Sequence, residues 1–388
     1  MNTLKIAYAA YCDLKRNNAP TEHILGIVNG LAERGHEISL FVRSKGNRQF
    51  SDRIIPYEIK SSKSMFFDIE LAKRLENMEQ EFDVLYIRDF LSAARVIKWA
   101  NKTNVPFALE HNGLYSAECR LLSGFTSQFV YNYDKLFHFH KRLKMASANI
   151  VVTQAIGDFF TDRYGIAENR IYHVPNGADI NKFHPVEDKI EHRKKIGLEP
   201  AESIWFGYIG TMHWWNLLPL MLGIFETIAK ERDDIRLFVG GHGSELKTIS
   251  EMMNRSEFRD RIILKSPVPI NESANLISVF DLAFAMMSPE VAPYGWQIKA
   301  NNNAASGVPS LFTYSEQFNE LFENGVAIGI KGFSPDAIAK ELEPILDSKK
   351  LAQMGIKARK YVENNLTWDI IVSKTETILK KISGGNDE

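Results

Sequence analysis

The stretch Pro293-Tyr-Gly-Trp-Gln-Ile-Lys-Ala-Asn-Asn-Asn-Ala-Ala-Ser-Gly-Val-Pro309 lies between two short apolar runs, Asp281–Met287 and Ser310–Thr313. Each run is typical of a buried parallel strand. Between them the sequence predicts a polar loop and a short helix that ends at Gly307. Ligands of open α/β sheets bind at such junctions, and Lys299 would add charge to the partly positive start of the helix. An ordinary crossover with a capping Asn run explains the same residues, so both interpretations stay open.

The composition is that of a globular protein with room for two domains. The chain has 388 residues, of which 45% are hydrophobic and 24% charged. Its formal net charge is −1, so the protein as a whole has no positive electrostatic potential that would attract nucleic acid. Any anion-binding site must therefore be local. Two cysteines are too few for a disulfide framework or a zinc cluster. We find neither a signal-like segment nor an apolar run of about 18 residues, and therefore expect a cytoplasmic protein.

Apolar runs and helical patterns alternate in two successive series. The first series begins with a strand at Lys5–Ala10, a polar loop, a helix capped by Thr21 and a strand at Glu37–Val42. Further strands of this series are predicted at Asp83–Ile87, Pro106–Glu110, Ile150–Thr153 and Ile171–Val174, with helices near Leu91–Asn101 and Ile156–Tyr164. A polar segment from Asn181 to Glu202 is predicted to be a linker. Strands of the second series are predicted at Ile204–Ile209, Ile235–Gly240, Arg261–Leu264 and Asp281–Met287, followed by a tail that is helical throughout residues 334–382.

Five motifs resemble, in order and spacing, those of GT-B glycosyltransferases of family 4. They are Glu22-His23 with Leu31–Ile38, Val174–Asp179 with Phe183, Tyr208–Thr211, Val239–Gly243, and Tyr294-Gly295 with Ala305–Pro309. The resemblance implies an α/β fold of two Rossmann-like, doubly wound domains facing across a cleft. It implies an acceptor-side domain at residues 1–185, onto which a C-terminal helix at 366–388 packs back, and a nucleotide-sugar domain at 186–365.

The resemblance also implies a chemistry. A retaining hexosyltransferase would move a sugar from a nucleotide-diphosphate-sugar to a glycan or lipid-linked acceptor, in the assembly of a surface polysaccharide or glycoconjugate. Cations and helix N-termini would stabilise the leaving diphosphate, which would itself take the proton of the acceptor. No metal or cofactor is then required, and no Asp-x-Asp pair is placed for a metal. Nucleic acid is not an expected partner.

Residue by residue, the family's site residues map onto three groups. The catalytic candidates are His111, Glu110 and Glu290. The donor-binding candidates are Gly210, Thr211, His213, Gly241, Gly295, Lys299 and Asn302. The acceptor or cleft candidates are Thr21, Glu22, Arg88 and Asn112. A packing histidine at His111 and a solvated lysine at Lys299 are the alternatives to the functional assignments.

The sequence departs from the family at several of these positions. The usual Glu-x7-Glu pair falls on Ala292 and Asn302, and Glu290 is the nearest acid that could replace the first glutamate. The usual Arg and Lys after the second-domain glycine are absent, and Ala19-Pro20-Thr21 replaces the usual Gly-Gly. A non-catalytic GT-B homologue that acts as a binding partner fits these losses. A nucleotide-sugar epimerase of the same fold, which needs no acceptor, is a further alternative, and a non-nucleotide ligand is another.

The segment Phe125–Lys144 combines aromatic and leucine residues with four basic ones. A basic amphipathic helix of this kind can lie on an anionic membrane, which would place the protein peripherally at the inner face of the membrane. A helix packed on the first domain, with a solvated basic edge, is the other interpretation.

Overall fold

A computed structural model describes residues 3–16, 18–91, 93–114, 132 and 138–384. Its contacts divide the chain into two compact units. Unit 1 comprises Met1–Gly177, Tyr294–Trp296 and Trp368–Glu388, and unit 2 comprises Ala178–Pro293 and Gln297–Thr367. The sequence predicts the first boundary near residue 185, whereas the contacts place it at Gly177.

Unit 1 is built on a seven-stranded parallel sheet of order β3-β2-β1-β4-β5-β6-β7. The strands are β1 (Lys5–Asp13), β2 (Glu37–Ser44), β3 (Ile54–Glu58), β4 (Val84–Arg88), β5 (Phe107–His111), β6 (Ala148–Val151) and β7 (Ile171–His173). Its described helices are α1 (Ala19–Glu33), α2 (Ser64–Glu76), α3 (Ala94–Thr103), α4 (His140–Met145), α5 (Gln154–Tyr164) and α14 (Trp368–Ile382). The order 3-2-1-4 reverses between β1 and β4, which is the doubly wound switch point.

Unit 2 repeats this topology with a six-stranded parallel sheet of order β10-β9-β8-β11-β12-β13. The strands are β8 (Ile204–Thr211), β9 (Ile235–His242), β10 (Ile262–Lys265), β11 (Leu282–Phe284), β12 (Ser310–Thr313) and β13 (Ala327–Ile330). The helices are α6 (Lys189–Ile196), α7 (Leu218–Glu231), α8 (Leu246–Arg255), α9 (Ile270–Ile277), α10 (Ile298–Ala305), α11 (Asn319–Glu323), α12 (Pro335–Leu342) and α13 (Ser348–Asn365). Each sheet therefore carries its own hydrophobic core.

Several predicted elements need correction. Thr21 is not the helix cap, because α1 begins at Ala19 and Asn18 Oδ1 accepts from the Thr21 N–H at 3.2 Å. The tail consists of three helices rather than one, with breaks at residues 343–347 and 366–367. Only Leu282–Phe284 of the run at 281–287 is a strand. The predicted helix near 91–101 begins at Ala94 and ends at Thr103.

The edge strand β3 was not predicted because Pro56 and its partly exposed neighbours break the apolar pattern of a central strand. Proline is tolerated there, since an edge strand pairs on one side only.

The predicted linker 181–202 contains helix α6, which a buried arginine fixes to unit 2. Arg193 is 3% exposed, donates to the carbonyls of Val279 and Ala201, and lies 2.6 Å from Asp281 Oδ2. The same carboxylate oxygen accepts from the Trp205 backbone N–H at 2.8 Å. A guanidinium with carbonyl and carboxylate partners satisfies the donors that burial removes from water.

In the segment Phe125–Lys144, residues 125–131 and 133–137 lie outside the described residues. In the described part, Arg142 is 4% exposed and its Nε lies 3.1 Å from Asp89 Oδ1. Arg142 therefore does not belong to a solvated basic face. Among the described residues no helix combines the length and apolar character needed to cross a membrane.

Helix α14 packs on helix α1 within unit 1. The Trp368 ring lies against Gly26 of α1, where an added Cβ would come within 2.4 Å of it. Arg34 Nη2 lies 2.6 Å from Asp369 Oδ1, and His36 Nε2 lies 3.0 Å from Glu376 Oε1. Packing, the Arg34–Asp369 ion pair and the hydrogen bond from His36 to Glu376 together hold the last helix in place.

We expect Arg193→Met to destabilise unit 2 by about 3–5 kcal/mol, because Asp281 and the carbonyls of Val279, Ala201 and Ser203 lose the guanidinium that donates to them. Urea denaturation followed by tryptophan fluorescence measures the change. The matched control is Lys194→Met, whose side chain is 46% exposed and which should shift stability by less than about 0.5 kcal/mol. An unchanged midpoint for Arg193→Met would contradict the anchoring role.

Candidate functional site

The carboxyl ends of β4 and β5 in unit 1 hold a buried, charged cluster around Glu110. Glu110 is 2% exposed, and its Oε1 lies 2.7 Å from His23 Nε2 and 3.3 Å from Arg88 Nη1. Asn112 Nδ2 donates to the same oxygen. Burial alone would raise the pKa of Glu110, but the charge and hydrogen bond of His23, with Arg88, lower it to about 2. Glu110 is therefore an anion at neutral pH.

His23 joins Glu110 to the side chain of Asn176. Asn176 Nδ2 donates to the Trp296 carbonyl at 2.7 Å, and Asn176 Oδ1 lies 2.7 Å from His23 Nδ1. The other ring nitrogen, Nε2, lies 2.7 Å from Glu110 Oε1. The buried ring of His23 therefore lies between two polar side chains of the same unit.

His23 was not among the predicted site residues, although a signal for it existed. It lies four residues before Ile27 and so falls on the buried face of α1. A polar residue at a core position of an amphipathic helix needs a buried partner.

His111 lies on the opposite side of β5 from Glu110, as adjacent strand residues do. It is 4% exposed, its Nδ1 lies 3.6 Å from Asp89 Oδ2, and its ring centroid lies 4.8 Å from that of Phe160. Burial lowers the pKa of His111. This placement is that of a packing histidine. Its catalytic assignment stays a prediction, and our functional proposal does not depend on it.

The remaining predicted residues of unit 1 have different exposures. Thr21 is 2% exposed and lies 4.0 Å from Cys12 Sγ, whereas Glu22 is half-buried. Gly295 lies in the segment Tyr294–Trp296, whose contacts assign it to unit 1, so it is not grouped with Lys299.

In unit 2, a second cluster lies where β8 and β9 end and α10 begins. Lys299, in the first turn of α10, places its Nζ 3.0 Å from Asn216 Oδ1 and 4.2 Å from the centroid of the Tyr208 ring. Burial lowers the pKa of Lys299 to about 7 and is the only cause of that shift. Among the residues that the structure describes, no carboxylate pairs with this amine. Lys299 is therefore a partly buried amine without a carboxylate partner in the described part of the chain.

Two glycines bring the backbone of this cluster together. Gly241 has φ +134°, and an added Cβ would lie 1.8 Å from the Gly210 carbonyl oxygen. Gly243 has φ +156°, and its Cβ would lie 2.2 Å from the Met212 carbonyl oxygen. Only glycine fits either position, because other residues would be strained and would clash. The predicted glycines Gly210 and Gly241 thus form one close backbone approach.

His213 extends the cluster on its exposed side. Its ring stacks on Trp215 with 4.4 Å between centroids, and its Nδ1 lies 3.2 Å from Ser244 Oγ. Burial lowers the pKa of His213, and His242 and Lys299 lower it further. His242 was not predicted. Glu245 opposes this shift, so basic groups and one acid meet near His213.

Asn302 lies one helical turn after Lys299 on α10 and is 5% exposed, while Glu290 is exposed. Thr211, the last residue of β8, accepts through its carbonyl from Asn216 Nδ2 at 2.9 Å.

Beside these residues an open depression of about 590 Å³ is lined by Gly243, Ser244, Leu246, Lys247, Ser250, Leu264 and Ser266. No group of three or more His, Cys, Asp or Glu in the described part of the chain is arranged to hold a metal ion.

Comparison with known proteins identifies the fold of this chain. Residues 21–182 match the model of Glycosyltransferase Family 4. The whole chain superimposes on sucrose-phosphate synthase from Thermosynechococcus elongatus with a TM-score of 0.79 at 13% identity, covering 99% of this chain and 100% of that one. The fold is GT-B. The resemblance to GT-B glycosyltransferases of family 4 that the sequence motifs indicate is therefore confirmed.

Other GT-B relatives extend the likeness. HepE from Anabaena, solved in complex with UDP and glucose, matches with a TM-score of 0.73 at 15% identity over 98% of this chain and 100% of that one. Alpha-monoglucosyldiacylglycerol synthase from Streptococcus pneumoniae is 22% identical over 179 residues, which are 45% of this chain and 39% of that protein. The chain matches the curated relatives over 39%, 42% and 55% of their own lengths.

The lowered pKa of Lys299 has a consequence for stability. Between pH 7 and about 10.5 the unfolded chain holds a proton on this lysine that the folded chain has lost, so folding stability rises with pH across that window. The Lys299→Met variant has no titrating group at this position, so its stability neither bears the cost of burying the amine at pH 7 nor shows this rise with pH. The melting temperature of Lys299→Met should therefore exceed that of the wild type at pH 7, and the gap should narrow towards pH 9.5.

Thermal melts across this pH range test the effect, with Lys349→Met, at an exposed lysine of α13, as control. A gap that does not change with pH would show that the Lys299 amine is not buried as described.

Proposed function

We propose that unit 2 binds a nucleotide-diphosphate-sugar at the carboxyl edge of its sheet, and that the protein transfers the sugar to a glycan or lipid-linked acceptor with retention of configuration. The observation that carries the proposal is the amine of Lys299, whose pKa is lowered to about 7 by burial and which has no carboxylate partner among the described residues. A diphosphate would supply the missing negative charge, since a buried charge is stable only when it is paired.

The surroundings of Lys299 support a diphosphate rather than a simple carboxylate. The amine lies in the first turn of α10, where free backbone N–H groups and the helix dipole favour anions. The close approach of Gly210 and Gly241 leaves backbone at the strand ends without intervening side chains. The adjacent depression of about 590 Å³ has the size of a small-molecule pocket and would take the nucleoside.

The proposed transfer breaks the bond between the anomeric carbon and the diphosphate oxygen, and forms a bond from that carbon to an acceptor hydroxyl oxygen. The acceptor proton passes to an oxygen of the leaving diphosphate. Lys299 and the start of α10 would stabilise the charge that develops on the leaving group. No metal is assigned a role in this step. A place in surface polysaccharide or glycoconjugate assembly belongs to the same proposal.

A non-catalytic nucleotide-binding protein is the second candidate function. Two observations favour it: Asn302 stands where the family's second glutamate is expected, and His111 is 4% exposed rather than open to a substrate. This candidate predicts nucleotide binding without turnover. A nucleotide-sugar epimerase would instead turn the donor over without an acceptor.

We expect one nucleoside diphosphate among UDP, GDP and ADP to raise the melting temperature of the wild type. Ligand at 100 times its dissociation constant adds about 2.7 kcal/mol of stability. Lys299→Met should bind that nucleotide about ten- to a hundredfold more weakly, because a charge-assisted hydrogen bond is lost. Lys349→Met should bind as the wild type does. If no nucleotide shifts the melting temperature, the donor site is refuted.

Affinity for the diphosphate should also fall as pH rises above 7. Only protonated Lys299 pairs with the anion, so the dissociation constant should rise by up to about tenfold per pH unit until the pKa of the complex is reached. Calorimetric titration between pH 7 and pH 9 measures this slope. Lys299→Met should show no such slope, and an equal slope in both proteins would assign the titration to another group.

A further inference from the structure

The carboxyl edge of the unit 1 sheet carries a basic surface that the proposed donor site does not use. The loops that follow β1, β2 and β3 meet there. We call this surface the basic edge and define it by its exposed cations, Lys15, Arg16, Lys45, Lys60 and Lys63. Segments 13–16, 43–48 and 58–63 together contain seven basic and two acidic residues, although the chain as a whole has a net charge of −1.

Hydrogen bonds between the loops make the basic edge a single surface. Arg43 Nε donates to the Ser61 carbonyl at 2.9 Å, which ties the end of β2 to the loop after β3. Arg48 Nε donates to the Leu14 carbonyl at 2.8 Å, which ties the loop after β2 to the loop after β1. These two arginines serve the loop backbone. Arg43 and Arg48 thus fix the loops that carry the exposed cations of the basic edge.

The two acids of these segments, Asp13 and Glu58, are engaged by the same loops. Asp13 Oδ1 accepts from the Lys15 backbone N–H at 3.1 Å, and Glu58 Oε1 accepts from the Lys45 backbone N–H at 2.7 Å. The Lys45 N–H is the main cause of the lowered pKa of Glu58, and Lys15 and Lys60 lower it further. Two carboxylates offset only part of the charge of five exposed cations.

The position of the basic edge associates it with ligand binding. It lies at the carboxyl ends of parallel strands, the edge at which open α/β sheets bind their ligands. Arg88 and Glu110 end neighbouring strands of the same sheet at that edge. Beside Lys63, at the start of α2, Met65 and Phe66 are 49% and 46% exposed. Cations with an exposed aromatic ring form a contact surface of mixed character.

We propose that the basic edge binds an anionic glycan, one that carries carboxylate or phosphate groups along its chain, as the acceptor of the transfer. Its role as acceptor rests on the proposed function, whereas the binding itself does not. A neutral glycan would gain nothing from clustered like charges, which repel one another in the free protein. An anionic chain relieves that repulsion, is steered to the surface and is held in register along it.

The test compares two charge reversals of equal size. Lys60→Glu/Lys63→Glu removes charge from the basic edge. The control, Lys98→Glu/Lys102→Glu, changes two exposed lysines on α3 of the same unit. Lys102 lies in the last turn of α3, which leads into β5 and hence lies towards the amino edge of the sheet. Both variants change the net charge equally, so a difference between them reports on position.

The probes are a fluorescently labelled oligogalacturonate of about ten residues and a neutral maltooligosaccharide of the same length, measured by anisotropy at about 50 and 200 mM NaCl. We expect the wild type to bind the anionic probe at least about tenfold more tightly at the lower salt. Lys60→Glu/Lys63→Glu should lose at least that factor. The control should stay within about twofold of the wild type.

Three outcomes would overturn the inference: equal binding of the two probes, an equal loss in the control variant, or binding of phosphatidylglycerol vesicles that depends on Lys60 and Lys63 without binding of the oligogalacturonate. The last would make the occupant a lipid surface. The thermal response to nucleotide, measured in both variants, separates the proposals. A retained response with no glycan binding refutes the acceptor class alone, whereas a missing response in the wild type refutes the donor site.

Discussion

Parallel pairing constrains everything else in this molecule, because every strand pairing in the described part of the chain is parallel. Parallel neighbours require a crossover on each return, and the carboxyl ends of all strands then meet at one edge of the sheet. That edge collects Arg88 and Glu110 in unit 1 and Thr211 and His242 in unit 2. The polar and charged side chains of each unit are thus concentrated where loops join strands to helices. As a result, charged groups lie next to a buried sheet.

The two units accommodate those charges in opposite ways. In unit 1 Glu110 has the imidazole of His23, the guanidinium of Arg88 and the amide of Asn112 around one carboxylate oxygen, so its charge is stabilised by residues of the same unit. In unit 2 Lys299 has an amide oxygen and an aromatic face, and burial lowers its pKa to about 7. The carboxylate of Glu110 thus has a cationic partner within its own unit, whereas the amine of Lys299 has no carboxylate partner in the described part of the chain. That difference, rather than the number of charged residues, distinguishes the site that we propose for the donor from a structural cluster.

The alternation of apolar runs and helices predicted two successive series of parallel strands, and the family resemblance of five motifs predicted the GT-B fold. The junction before Pro309 drew attention to Lys299, and the resemblance made it a donor-site candidate. Long-range partners were not predictable. His23 and Glu110 lie far apart in sequence and are brought together only by the fold of unit 1. The sequence of a strand buried on both faces also does not show which neighbours lie on each face. It could therefore not predict that Glu110 joins a charged cluster while the ring of His111 packs on the other side. Helix α6 looked like a linker because the buried role of Arg193 depends on Asp281, which comes much later in the chain.

The replacement of the expected acid by Asn302 changes the electrostatics of the proposed donor site. A carboxylate one turn from Lys299 would keep the amine protonated and would repel a diphosphate. Asn302 does neither, so the amine is partly neutral at pH 7, and binding of the anion is coupled to the uptake of a proton from solvent by Lys299. The free protein therefore bears the cost of burying an amine, and a ligand with negative charge relieves that cost. The buried amine lowers the folding stability of the free protein. Residues that lower folding stability in this way often serve ligand binding.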